Sequence, residues 1–240
     1  MSNRNPKKLG TMTFENTLED GKGVRLANKF LRALFAQTMN NSLVFRKKEE
    51  YFPFVHKERQ MHSVISPAMF KLTSSSLMEF PIIRTKFQKF GNKRSAKKSA
   101  GWIDYACKYG KPGVGFFIEF KHDWNNISNE HVRQAILNKW DSAKSQIRSV
   151  KGEVAGWGSD KGAIRIAIVF VVHYTTKSEA ISKDGLHLQH KNIINKMTPK
   201  PNWSGLLKID KKWTGLYEYE KSKEYHPGVS WFAYVTKIQN

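Results

Sequence analysis

Cysteine and acidic residues are both scarce in this chain, and each scarcity excludes a class of protein. Cys107 is the single cysteine among 240 residues, so no disulfide can form within one chain. Disulfide-rich secreted folds are therefore excluded, and a reducing, cytoplasmic setting is expected. The chain has 20 Asp and Glu against 41 Lys and Arg, which leaves a net charge of +21. Because such an excess attracts polyanions, composition favours nucleic acid as the partner.

Long apolar runs and nucleotide-binding motifs are also missing. The longest apolar stretch, 166–172, is too short to cross a bilayer, so we expect no membrane partner. The basic N-terminal stretch MSNRNPKKLG leads into no apolar segment, and no signal peptide is expected. The loop around Gly156-Trp157-Gly158 lacks the P-loop pattern, which argues against a nucleoside triphosphate site.

Hydrophobic periodicity predicts a single α/β domain over 1–240. Apolar residues spaced by three and four predict helices over 23–37, 56–72 and 129–150, with either a kink at Pro67 or a division of the second helix into two short pieces there. The run 163–173 predicts a strand buried on both faces. We expect a flexible N-terminus over 1–20, a core with its N-terminal helix over 23–176, and a C-terminal elaboration over 177–240. That elaboration is expected to complete or flank the sheet.

Two further apolar runs, 102–108 and 114–122, carry charged residues inside predicted strands. A Gly-Lys-Pro-Gly turn lies between them, and the basic stretch 89–100 before them is predicted to be a loop. Folding the chain about this turn places Asp104 and Glu119 opposite one another, on the same face, with their Cβ atoms about 5 Å apart. Lys121 points to that face as well, since side chains alternate along a strand.

Two interpretations of this charged hairpin are open. Opposed carboxylates repel each other, and a divalent cation between them removes the repulsion with the oxygen ligands that it prefers. In the other interpretation, Asp104 and Lys121 form a cross-strand ion pair on a hydrated sheet face. The aromatic and aliphatic residues around these charges favour the first interpretation, because hydration is poor in apolar surroundings.

At these residues the chain resembles the PD-(D/E)XK nuclease superfamily. The resemblance lies in the WIDY strand, the IEFK strand, the turn between them, and the helices before and after, and it covers about residues 56–175. The first acidic residue follows Ile rather than the Pro of the family motif. The resemblance implies a restriction-endonuclease-like core within the segment 23–176, that is, a mixed β-sheet with a catalytic hairpin flanked by helices. It does not explain the N-terminal helix or the C-terminal third.

The resemblance also implies metal-dependent hydrolysis of phosphodiester bonds. Asp104 and Glu119 would hold Mg²⁺ or Mn²⁺ together with the backbone carbonyl of Phe120, and Lys121 would assist the attacking water. The family often adds a Glu from the helix before the hairpin, for which Glu58 is the candidate. A favourable position at a helix N-terminus explains Glu58 equally well. Weaker candidates for supporting roles are Glu79, Gln134 and Gln146.

The basic residues before the first strand of the hairpin are candidates for nucleic-acid binding. Lys93, Arg94, Lys97 and Lys98 would contact a phosphate backbone beside the site, or else form a solvated loop. DNA is preferred over RNA as the substrate, and double-strand cutting by one active site per chain calls for a homodimer. The alternatives are a catalytically inactive nucleic-acid-binding protein on the same scaffold and a structural RNA-binding protein.

Overall fold

The structure, a computed structural model, describes residues 9–18, 24–90, 93–111, 113–150, 163–176, 183–214, 216–219 and 222–238. In these residues a mixed β-sheet is flanked by helices, which makes the fold α/β. The strands are β1 (Gly10–Asn16), β2 (Ser75–Phe90), β3 (Lys93–Tyr109), β4 (Val114–Asn126), β5 (Ala163–Thr175), β6 (Trp203–Ile209), β7 (Leu216–Tyr219) and β8 (Ser222–Lys237). The helices are α1 (Val24–Glu49), the short 3-10 helix Pro53–Val55, α2 (Glu58–Leu72), α3 (Gln134–Arg148) and α4 (Lys183–Lys196).

The sheet has the strand order β1-β6-β8-β5-β4-β3-β2, and β7 pairs with β8 beside this path. β4 and β5 are parallel, because α3 carries the chain back across the sheet between them. The other strand pairs are antiparallel. β6 and β8 therefore complete the sheet, which is one of the two expectations for the C-terminal segment.

Each face of the sheet is covered by a pair of helices. α1 and α2 pack through residues such as Phe30, Phe35 and Met61 against Phe116 and Phe120 of β4 and their neighbours. On the other face, α3 and α4 pack their apolar side chains against smaller clusters centred on β4, β5 and β8. In the part of the chain that the structure describes, no helix is long and apolar enough to span a membrane.

Several predicted boundaries are wrong, and packing explains each difference. α1 runs on to Glu49 rather than ending near residue 37, because Met39 and Leu43 continue its buried stripe. Residues 10–16, expected in a flexible N-terminus, form β1 and pair with β6. The basic stretch 89–100, predicted as a loop, belongs mainly to β2 and β3, which pair with each other there.

The structure also decides the course of two helices. α2 continues through Pro67 to Leu72 rather than breaking into two pieces. α3 begins at Gln134, five residues after the predicted start.

Candidate active site

The hairpin of β3 and β4 has the predicted register. Its pairs run from Tyr109 opposite Val114 to Tyr105 opposite Ile118. Continuing this register by one position places Asp104 level with Glu119. Regular pairing with β4 ends at Tyr105, however, whereas β3 remains paired with β2 as far as Lys93. The candidate site therefore lies where β3 separates from β4.

A kink in β2 and β3 marks this separation. Glu79 of β2 is level with Asp104 in the register and has a positive φ of 49°, far from the extended value of a regular strand. Tyr105 packs in the cluster beneath α2, whereas Ile103, two residues earlier, packs with the cluster beneath α3. Regular alternation would put Ile103 and Tyr105 on one face, and it fails at this point. Strict alternation requires a regular strand, and the strand is not regular at Asp104.

The Asp104 carboxylate closes the gap that the separated strands leave. Its Oδ2 accepts a hydrogen bond from the backbone N–H of Phe120 at 2.6 Å. This N–H lies beyond the last regular pair of the hairpin, so the side chain of Asp104 replaces a backbone acceptor there. Asp104 thus fastens β3 to β4 at the position next to Glu119.

The ammonium group of Lys121 lies among oxygen atoms of Glu119, Phe120 and Glu58, which the resemblance implies are metal ligands. Lys121 Nζ is 2.7 Å from Glu119 Oε1, 2.9 Å from the carbonyl oxygen of Phe120, and 3.7 Å from Glu58 Oε1. The side chains of Lys121 and Glu119 are 12% and 4% exposed, so Glu119 is buried and Lys121 is mostly shielded from solvent. These oxygens therefore converge on one cation, which is the Lys ammonium itself.

Glu58 reaches the site from the first turn of α2. Besides its contact with Lys121, its Oε2 accepts the backbone N–H of His122 at 3.1 Å. The helix before the hairpin thus brings a carboxylate to β4, as the sequence predicted for Glu58. Glu79, the weaker candidate, is exposed on β2. The side-chain amide of Gln134 donates to Asn138 within α3.

The electrostatics of the site reflect burial and the balance of these charges. Burial raises the pKa of Asp104 above its ordinary value, although Lys121 and the Phe120 N–H oppose the shift. Burial alone would lower the pKa of Lys121, but Glu119, Asp104 and Glu58 together raise it. The three carboxylates therefore stabilise the charged form of Lys121, and the site holds a cation at neutral pH.

Hard oxygen donors of this kind are suited to Mg²⁺ or Mn²⁺. In the structure, oxygens of this type from Glu119, Phe120 and Glu58 converge on Lys121 Nζ. Within the described ranges, however, no group of three or more His, Cys, Asp or Glu side chains is arranged to hold a metal ion. The geometry agrees with this, because Asp104 is turned to the Phe120 N–H while Glu119 and Glu58 are turned to Lys121.

His62 belongs to this site but was not found from the sequence. It lies one helical turn after Glu58, and its Nδ1 is 2.7 Å from the hydroxyl of Tyr105. It also acts electrostatically on Asp104, the residue next to Tyr105. The spacing of four residues between Glu58 and His62 was the available signal, because residues so spaced share one helix face.

The predicted nucleic-acid-binding residues Lys93, Arg94, Lys97 and Lys98 have backbone positions in β3. Their side chains lie outside the part of the chain that the structure describes. Residues 93–103 of β3, which precede Asp104, pair with β2. Here the two strands form a two-stranded ribbon that starts at the candidate site.

Comparisons with known proteins add no assignment. No family model, curated protein or solved structure matches this chain.

Proposed function

We propose that this chain is a metal-dependent nuclease that hydrolyses phosphodiester bonds, with DNA as its substrate. We infer, with it, that the sheet contains a restriction-endonuclease-like core made of the β3–β4 hairpin, the crossover α3, the parallel strand β5 and the helix α2. The observation that carries the proposal is the position of Lys121 Nζ between Glu119, Glu58 and the Phe120 carbonyl, with Asp104 beside them.

The proposed roles follow from the chemistry of these groups. Asp104, Glu119, Glu58 and the Phe120 carbonyl would hold Mg²⁺ or Mn²⁺. When bound, the ion supplies Lewis-acid polarisation of the phosphate and lowers the pKa of the attacking water. Lys121, displaced from the carboxylates, would orient that water and neutralise the negative charge that develops on the phosphate.

A second observation supports nucleic acid as the substrate. The ribbon of β2 and β3 extends from Phe80 and Ile103 to Phe90 and Lys93, about 35 Å at the usual rise per residue. Residues 84–98 contain no Asp or Glu. They contain seven basic residues, Arg84, Lys86, Lys89, Lys93, Arg94, Lys97 and Lys98. A strongly basic two-stranded ribbon fits the major groove of duplex DNA in width and in charge.

The backbone register puts basic residues at paired positions of this ribbon. Lys86 is paired with Lys97, and Lys89 is paired with Arg94. Like charges directly opposite each other destabilise a β-ribbon, and phosphates between them relieve the repulsion. The ribbon begins at the kink beside Asp104, so a duplex held along it would pass the candidate site.

The proposal is tested by incubating the purified protein with plasmid, linear duplex and single-stranded DNA. Each substrate is combined with Mg²⁺, with Mn²⁺, or with a chelator. We expect cleavage with either metal and none with the chelator. Glu119→Gln should abolish cleavage, whereas Glu130→Gln, a matched change at an exposed residue outside the site, should not. Absence of cleavage by the wild-type chain on all substrates with both metals would overturn the proposal.

A catalytically inactive nucleic-acid-binding protein is the second candidate. The observation that favours it is the set of protein partners that the site already has, since Lys121 pairs with Glu119 and Asp104 accepts the Phe120 N–H. Calorimetric titration with Mn²⁺ separates the two candidates. Binding that is lost in Asp104→Ala and Glu119→Ala supports the nuclease, whereas unchanged DNA affinity without any metal binding supports the inactive protein.

A further inference from the structure

A cleft next to the candidate site contains two aromatic side chains and an arginine. It has a volume of about 320 Å³ and is lined by Val55, Trp124, Arg133, Tyr174 and Glu224. Trp124 and Tyr174 lie near the carboxyl ends of the parallel strands β4 and β5. Ligands of open α/β sheets bind at this edge of parallel strands. We call these five residues the base cleft.

The polar groups of the base cleft are held in place by buried partners. Arg133 Nη1 lies 3.3 Å from Oδ1 of the buried Asp123 and donates to the carbonyl of Trp124 at 3.0 Å. Asp123 Oδ1 also accepts the backbone N–H of Trp124 at 2.8 Å. The Arg133 side chain remains 42% exposed, so part of its guanidinium is accessible from the cleft.

Glu224 of β8 adds a carboxyl group to the lining of the base cleft. Its side chain is 23% exposed, and burial raises its pKa. Two half-buried aromatic rings, a planar cation and a hydrogen-bonding carboxyl suit a flat heteroaromatic ring with polar edges. Nucleobases stack on aromatic side chains and on Arg guanidinium planes, and Glu accepts hydrogen bonds from their exocyclic amino groups.

His122 connects the base cleft to the candidate site. Its backbone N–H is bound by Glu58, its Nε2 lies 3.1 Å from the Phe54 carbonyl, and its ring packs edge-on against Trp124 at 4.5 Å. Trp124 follows Lys121 by three residues, about 10 Å along the strand. Regular alternation puts the Lys121 and Trp124 side chains on opposite faces of β4. The connection is through Glu58, which contacts both Lys121 Nζ and the His122 N–H, so a base next to a phosphate at Lys121 would pass His122 to reach the cleft.

We propose that the base cleft binds one unpaired nucleobase of the strand whose phosphate lies at Lys121. This inference rests on the proposed nuclease function and specifies the substrate as nucleic acid with an unpaired nucleotide at the cleavage position. In duplex DNA the bases are stacked inside the helix, so the neighbouring base must be flipped out or already single-stranded. Together with the basic ribbon, the cleft favours junctions between duplex and single strand.

Binding is measured by fluorescence anisotropy in the presence of a chelator, so that no cleavage occurs. The ligands are a labelled single strand, the same strand with abasic sites, and a blunt duplex of equal length. Trp124→Leu and Tyr174→Leu should each weaken single-strand binding about 10-fold or more and leave abasic-strand and duplex binding unchanged. Phe70→Leu, at an exposed aromatic residue of α2, should change none of the three affinities.

Equal losses for the normal and abasic strands, or no loss in either variant, would overturn the proposal. Because Trp124 also packs against His122, thermal melts are used to check that each variant is folded. Cross-linking provides a second measurement, which needs only the wild-type chain. Ultraviolet cross-linking to a 5-bromouracil strand should modify Trp124 or Tyr174, and cross-links confined to other residues would contradict the inference.

Competition with a free nucleoside monophosphate shows whether the bound base belongs to a nucleic-acid strand or to a free nucleotide. We expect the monophosphate to compete weakly, because it lacks the phosphates that bind the ribbon and Lys121. Competition as strong as that of the oligonucleotide would overturn the strand assignment and make the cleft a nucleotide site. A failure of the wild-type chain to cleave any substrate would overturn the nuclease proposal, while these chelator measurements would still report on base binding.

Discussion

The ammonium nitrogen of Lys121 lies 2.7 Å from Glu119 Oε1, on the same buried stretch of β4. The two residues are separated by Phe120, whose carbonyl oxygen also accepts from Lys121 and whose N–H donates to Asp104. Three consecutive residues of one strand therefore carry the charge balance of the site. We expect substitutions at these positions to change both the free energy of unfolding and the cleavage activity, and the two effects can be measured separately.

Asp104 has a structural and a proposed chemical role, and two substitutions separate them. Asn keeps an oxygen that can accept the Phe120 N–H, so Asp104→Asn should retain the free energy of unfolding to within about 1 kcal/mol. Asp104→Ala leaves this N–H without its acceptor and should lower that free energy by about 1–3 kcal/mol. Both variants should lose cleavage. Urea denaturation and a nuclease assay measure the two effects, and an Asn variant that cleaves normally would remove Asp104 from the chemistry.

Lys121 neutralises the carboxylates around it, so its removal should make stability depend on divalent ions. Breaking a buried ion pair costs about 3–5 kcal/mol, and we expect Lys121→Met to lose a stability of this order in the presence of a chelator. Mg²⁺ should then raise the melting temperature of Lys121→Met more than that of the wild-type chain. Cleavage should be abolished in this variant.

The double variant Lys121→Met with Glu119→Gln is the control for this prediction. It removes both charges of the pair, so it should be more stable than Lys121→Met alone and should respond less to Mg²⁺. If Lys121→Met melts at the wild-type temperature in chelator, the ammonium does not balance these carboxylates.

The basic ribbon should determine the salt dependence of DNA binding. For each phosphate contact that is lost, the slope of log affinity against log salt should fall by about 0.9. Replacing Lys97 and Lys98 with Gln should therefore reduce the slope by up to about 2. The same change at Lys191 and Lys196, which are exposed on α4, should leave the slope unchanged. Equal effects of the two pairs would show that the net charge, rather than the ribbon, binds DNA.

Buried histidines should make the protein sensitive to acid. Burial lowers the pKa of His122, His190 and His226 to about 4 and that of His173 to about 3. The ordinary value in an unfolded chain is about 6.5, so unfolding takes up protons between pH 6.5 and 4. The free energy of unfolding should fall as pH decreases through this range, by up to about 1.4 kcal/mol per pH unit for each histidine.

Urea denaturation at several pH values between 7 and 4.5 measures this dependence. His190 is hydrogen-bonded to Ser230 and Ser204, and Gln can replace it without a titrating group. His190→Gln should therefore reduce the slope by about one quarter of the total expected from four such histidines. A free energy of unfolding that stays constant from pH 6.5 to 5 would contradict the burial of these rings in neutral form.

The sequence was sufficient for the local features of the candidate site. The turn between Gly110 and Gly113 fixed the register of the hairpin, because an antiparallel pair joined by a short turn has one alignment. Alternation along β4 placed Glu119 and Lys121 on one face, and their ion pair follows from it. The spacing of apolar residues indicated α1, α2 and α3, although not where each helix begins and ends.

Contacts between segments that are distant in the sequence decided the remaining features of the fold and of the candidate site. No local pattern gives the kink at Glu79 and Asp104, which turns the Asp104 carboxylate to the Phe120 N–H rather than across to Glu119. The strand character of residues 93–100 depends on their pairing with β2, since their composition alone is typical of a loop.

The base cleft is the clearest case of a feature that only the tertiary structure provides. Its lining residues come from the 3-10 helix, β4, the segment before α3, β5 and β8, and they meet because β4 and β5 end side by side. The sequence alone determined the charge of this protein, the register of its hairpin and the residue types at its candidate site. Which of those residues face one another was decided by packing, because side-chain direction at a kinked strand depends on the elements on both sides of the sheet.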